Sequence, residues 1–64
     1  MEEQIRELTA EASTLGWRPG YRPDSIVHQG LVFNLHADIS VDGDVIAWVY
    51  VASNANANLT VFND

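Results

Sequence analysis

The stretch LVFNLHADISV, Leu31–Val41, alternates without a break. Leu31, Phe33, Leu35, Ala37, Ile39 and Val41 are apolar, and Val32, Asn34, His36, Asp38 and Ser40 fall between them. Side chains along a strand alternate between faces, so six apolar positions in step predict a strand with one face on a core. Asp42-Gly43 follows directly. An Asp-Gly pair between apolar runs is the strongest short-range hairpin signal, because both central residues of the tight turn need positive φ. Beyond it, Asp44–Ala52 (DVIAWVYVA) is apolar on both faces, as a central strand covered on both sides would be. Ser53–Asn58 (SNANAN) reads as a loop, and Leu59–Asn63 (LTVFN) as a third strand.

Two hairpin registers fit this pattern, and they expose different side chains, because a one-residue slip turns a whole strand over. A two-residue turn pairs Ile39 with Ile46, Ala37 with Trp48 and Leu35 with Tyr50. Trp48 and Tyr50 then lie on the covered face, and Val45, Ala47, Val49 and Val51 stand on the open face beside His36 and Asp38. A three-residue loop over Val41–Gly43 with a bulge reverses this, bringing Ile46, Trp48 and Tyr50 to the open face. The two-residue turn is favoured because Asp-Gly suits both of its positions. In either register the uncovered face of the central strand carries an apolar strip. Such a strip marks an interface, with His36 as a candidate contact beside Val49 in the first register or beside Trp48 and Tyr50 in the second.

Ahead of the strands, Ile5, Leu8, Ala12 and Leu15 recur at helical spacing, with Gly16 placed to cap the end. The spacing predicts a helix over residues 3–15, with Glu3, Glu7 and Glu11 lined up on its opposite side. Like charges four apart weaken a helix by roughly 0.2–0.5 kcal/mol per pair, so their alignment calls for an explanation. The connector Gly16–Gly30 is punctuated by Pro19, Gly20, Pro23 and Gly30, with room for a turn of helix or an edge strand near Ser25–His28. Trp17 and Tyr21 are placed to close one end of the core. The expected fold is α+β: one domain over residues 1–64, with an N-terminal helix packed on a three-stranded antiparallel β-meander.

Little in the chain points to chemistry. There is no cysteine, hence no disulfide and no thiolate metal site. His28 and His36 lack the further ligands that a zinc site needs. No phosphate loop, nucleophile elbow or metalloprotease motif is present. The expectation is a protein without catalytic residues, cofactor or metal. The first residues are acidic and no long apolar run follows them, which fits neither a conventional signal peptide nor a membrane span. A cytoplasmic protein is expected.

Nine acids stand against three arginines, a net charge of −6, which argues against direct binding to nucleic acid or an anionic membrane. It suits a basic partner instead. On a helix, residues four apart rise about 6 Å, a step comparable with successive phosphates of a nucleic-acid strand. Glu3, Glu7 and Glu11, with Asp38, Asp42 and Asp44 as a second acidic patch, are therefore candidates for contact with a basic nucleic-acid-binding surface.

The short, cysteine-free acidic chain, the glutamates of EEQIRELTAE and the expected helix-plus-hairpin plan together resemble small phage-encoded inhibitors, anti-CRISPR proteins in particular. That resemblance is one of profile and covers the whole chain without a family motif. It implies a protein of the host-cell cytoplasm that occludes a nucleic-acid-binding surface on a CRISPR effector subunit, without catalysis. The alternative is a structural or assembly protein that homodimerises through its open sheet face.

Overall fold

A computed structural model describes residues 4–64. It corrects the expected architecture: there is no α-helix among the described residues, and the chain forms a five-stranded mixed sheet curled into half a barrel. The strands are β1 (Arg6–Glu11), β2 (Ser25–His28), β3 (Leu31–Val41), β4 (Asp44–Ala52) and β5 (Ala57–Phe62), ordered β1-β5-β4-β3-β2. β1 pairs with β5 in parallel, and all other neighbours are antiparallel.

The segment expected as a helix is β1 followed by a 3₁₀ turn at Ala12–Leu15, which Gly16 caps in the left-handed conformation. The physical reason is visible in its own residues. Leu8, Ala10 and Ala12 alternate with Glu7, Thr9 and Glu11, a pattern of period two. Positions four apart share a face in a strand as well as in a helix, so the glutamate spacing fits both. Pairing with β5 decides between them. Leu8 and Ala10 stand beside Leu59 and Val61 on the inner face, closing a side of the core that a bare β5 edge would leave open. Asn56 ties down the start of β1: its carbonyl accepts from Arg6 N–H at 3.0 Å, and its amide donates to the Gln4 carbonyl at 3.1 Å.

Two tight turns of the same kind bound β3. Asp42 and Gly43 have φ of 52° and 85°, as the two-residue turn requires, and Val41 pairs with Asp44. Gln29 and Gly30 have φ of 52° and 79° and join β2 to β3, a hairpin that the sequence marks with Gly30 alone. Between the β3–β4 turn and the middle of the sheet the register shifts twice. Leu35 pairs with Tyr50, but Ala37 pairs with Val49, Asp38 with Trp48 and Ile39 with Ala47, before Ser40 returns to Val45. His36 is thus an extra residue on β3 and Ile46 an extra residue on β4, two bulges that cancel each other. The expected pairs Ala37–Trp48 and Ile39–Ile46 do not form.

The inner face holds the core. Phe33, Tyr50, Leu59 and Val61 are fully buried, with Trp48, Ala10, Ala12, Ala52 and Ala57 around them. Burying Phe33, Leu59 and Val61 contributes roughly 1.5–3 kcal/mol each. The covering layer is not a helix but the 3₁₀ turn and the Pro-rich connector. Trp17 packs against Tyr50, with ring centroids 6.2 Å apart, and meets Tyr21 edge-on at 5.7 Å. The Tyr50 hydroxyl donates to the Pro23 carbonyl at 2.8 Å, pinning the connector over the sheet.

Candidate protein-binding surface

The outer face of the curled sheet has a composition set by strand register. Three rows of side chains cross four strands. Glu11, Phe62, Ala47 and Ile39 stand side by side; Thr9, Thr60, Val49 and Ala37 form the next row; Glu7, Asn58, Val51 and Asn34 the third. Each row runs from a polar or acidic residue on β1 to small or branched apolar residues on β4, ending on β3 in Ile39, Ala37 and Asn34. Val49, Val51 and Phe62 are half-buried, Ile39 and Ala37 are exposed, and Ala47 is enclosed without belonging to the inner core cluster. Alternation puts the apolar strip here because the same strands send Trp48, Tyr50, Leu59 and Val61 inward.

The acidic candidates are dispersed. Glu7 and Glu11 share this outer face, both exposed, but on a strand they stand about 13 Å apart, twice the step a helix would impose. The match to successive phosphates is lost with the helix. The same geometry removes the repulsion that a helix would have set between neighbouring glutamates. Glu3 lies outside the described residues. Asp42 and Asp44 flank Gly43 in the exposed β3–β4 turn.

Asp38 is elsewhere altogether. The bulge at His36 turns it to the inner face, opposite Trp48. There its two carboxylate oxygens accept from one Arg22 nitrogen at 3.0 and 2.9 Å. This is the only ion pair among the described residues, and both side chains remain substantially exposed. The pair borders an open cleft of ≈ 280 Å³ with Gly20, Val45, Trp48 and Asn63. Asn63 bridges its walls, accepting from Gly20 N–H at 2.6 Å and donating to the Val45 carbonyl at 2.9 Å.

Of the expected sheet-face contacts, Val49 lies on the outer face, and His36 is exposed at its bulge. Trp48 and Tyr50 point into the core, 4% and 0% exposed, and are unavailable to a partner. Burial pushes the Tyr50 phenol above its ordinary pKa; Arg22 opposes this, and Asp24, Asp38 and Tyr21 add to it. Sequence reasoning missed Phe62, Thr60 and Ile39 as outer-face residues. The alternation Asn58, Thr60, Phe62 against Ala57, Leu59, Val61 carried the signal for the first two. No three His, Asp or Glu side chains among the described residues group closely enough to hold a metal ion. Comparison with protein-family models, curated proteins and solved structures finds no match to the chain.

Proposed function

We propose that the chain is a non-enzymatic protein-binding inhibitor that docks by the outer face of its sheet onto a protein with basic residues around an apolar patch. The observation that carries this reading is the graded outer face: Glu7 and Glu11 along β1, then Phe62, Val49, Ala37 and Ile39 towards β3. An apolar centre supplies affinity, and a charged rim steers approach and sets orientation. The net charge of −6 favours a basic nucleic-acid-binding protein as the partner, a CRISPR effector subunit among them, as the likeness to anti-CRISPR proteins suggests. Occlusion of such a surface by the whole outer face replaces phosphate-by-phosphate imitation as the mode of action.

The test is capture of basic nucleic-acid-binding proteins from bacterial lysate at low and high salt, with competition by DNA. Glu7→Lys/Glu11→Lys is expected to abolish capture at low salt while leaving the fold intact, since both side chains are exposed. Val49→Asp is expected to abolish it at either salt concentration. Undiminished capture by both variants would overturn the reading. The apolar strip equally suits a homodimer built face to face. That second reading predicts a wild-type dimer that Val49→Asp dissociates and the glutamate variant does not.

A further inference from the structure

The two edges of the sheet are built differently. β1 presents Arg6, Glu7 and Glu11, all exposed, and charge on an edge strand discourages pairing with another chain. The body of β2, Ser25-Ile26-Val27, carries no charge and no proline. Three of the most exposed large apolar side chains of the described residues gather around it: Val27 at 70%, its β3 partner Val32 at 56%, and Tyr21 at 55%. Along the inner side of the same edge runs a cleft of ≈ 240 Å³ lined by Trp17, Tyr21, Pro23 and Ile26.

Register shows which backbone groups of this edge are free. The Asp24 carbonyl accepts from Leu35 N–H at 2.9 Å, and His28 and Leu31 flank the two-residue turn. In an antiparallel ladder bonded and non-bonded pairs alternate. Asp24, Ile26 and His28 therefore bond inward to β3, and the N–H and C=O of Ser25 and Val27 point to the open edge. We propose that β2 pairs antiparallel with β2 of a second copy of this chain, joining the two sheets across a two-fold axis at Ile26.

The arrangement is self-complementary. With Ile26 opposite Ile26 of the second copy, Ser25 of each copy faces Val27 of the other, and the four free donors and acceptors on each side are matched. On the inner side, the two aromatic clefts come together along the axis. On the outer side, Val27 is flanked by its own Val32 and by Ser25 of the second copy. Charge selects this edge for self-contact. Between Gly16 and Val32 the formal charges are Arg18, Arg22 and Asp24, a local +1 within a chain of −6. Asp38, paired with Arg22, brings that sum to zero, so two copies meet here with the least repulsion. Isologous pairing also closes at two copies, whereas β2 against the charged β1 edge would run on as an open filament.

The experiment is sedimentation equilibrium of the full chain from micromolar concentration upward, alongside Val27→Pro, Val27→Lys and Val49→Asp. Proline removes the outward N–H of Val27 and leaves the inward bonds of Ile26 and His28 in place. Lysine leaves the backbone intact and sets like charges near the axis, guarding against a proline variant that fails to fold. The expected result is a monomer–dimer equilibrium that either Val27 variant weakens by about tenfold or more, and that Val49→Asp leaves unchanged. The amides of Ser25 and Val27 should also gain exchange protection as concentration rises. A monomer at all concentrations up to about 1 mM would overturn the proposal. So would a dimer broken by Val49→Asp and indifferent to Val27, or assembly that grows beyond two copies. Because Val27 lies outside the rows of the proposed docking face, loss of the dimer and loss of partner capture are separable.

Discussion

The two halves of β3 carry the same alternating pattern and lead opposite lives. In the first half Leu31, Phe33 and Leu35 point inward, Phe33 is fully buried, and Leu35 stands beside Tyr50. In the second half Ala37 and Ile39, in phase with them by sequence, lie on the outer face, and Asp38 is the residue that turns in. A single extra residue, His36, separates the two behaviours. The lesson is that alternation tells which residues share a face only between bulges, and a bulge is how this strand serves the core at one end and a docking surface at the other.

Substitutions along the strand should expose the difference, beginning with the core. Phe33→Ala is expected to cost about 3–5 kcal/mol. A chain of this length holds roughly 3–10 kcal/mol in all, so the variant should lose from about a third to all of its stability in urea unfolding followed by circular dichroism. A loss below about 1 kcal/mol would break the comparison at its stronger end.

Tyr50, beside Leu35 in the first half, sets the next test. Tyr50→Phe removes the hydroxyl that donates to the Pro23 carbonyl and should cost about 1–2 kcal/mol in urea unfolding at neutral pH. It should also change the alkaline limb of the stability curve. Burial raises the folded-state pKa of this phenol, so its contribution is complete below the unfolded value near 10 and is lost as pH rises through the folded pKa. The wild type should lose stability there more steeply than Tyr50→Phe; parallel curves would place the phenol in water.

Asp38, in the second half, should matter less although both of its carboxylate oxygens accept from Arg22. Both partners are substantially exposed, so Asp38→Asn is expected to cost no more than about 1 kcal/mol, falling further with added salt. A double-mutant cycle with Arg22→Gln isolates the pair, and a coupling well above that value would show the cleft to be drier than its exposure implies. The smallest effect is expected from Ile39→Thr, within about 0.5 kcal/mol, because the side chain is on the outer face and threonine keeps the branched carbon that strands favour. Partner capture by that variant should nonetheless fall, which stability alone would not foretell.

The sheet's strongest elements were readable from particular residues. The strand Leu31–Val41, the Asp42-Gly43 turn and the apolar run Asp44–Ala52 each required one local rule, and each is found at its expected place, although the shared face expected of Leu31–Val41 ends at the His36 bulge. The N-terminal segment was misread because Glu7/Glu11 and Leu8/Ala12 are four apart, a separation that satisfies both periods. Its shorter-range signal, Leu8-Thr9-Ala10-Glu11-Ala12, favours the strand. The candidate site was legible only in part: Val49 and Glu7 share the outer face, whereas Asp38, Trp48 and Tyr50 do not, and Phe62 was overlooked.

Local matters follow from the residues and their neighbours: where β3 and β4 run, where the chain reverses between them, that the molecule is acidic, and that it lacks the thiols for a disulfide. These depend on side-chain period, on backbone conformations open to Gly and Asp, and on charge, all properties of neighbouring residues. That residues 6–11 pair with β5, that His36 and Ile46 are bulges, and hence which side chains meet solvent, emerges with the assembled sheet. Those outcomes depend on partners distant in the chain. Leu59 and Val61 needed a neighbour, and Arg22 and Trp48 received Asp38, at the cost of one unpaired residue on each strand.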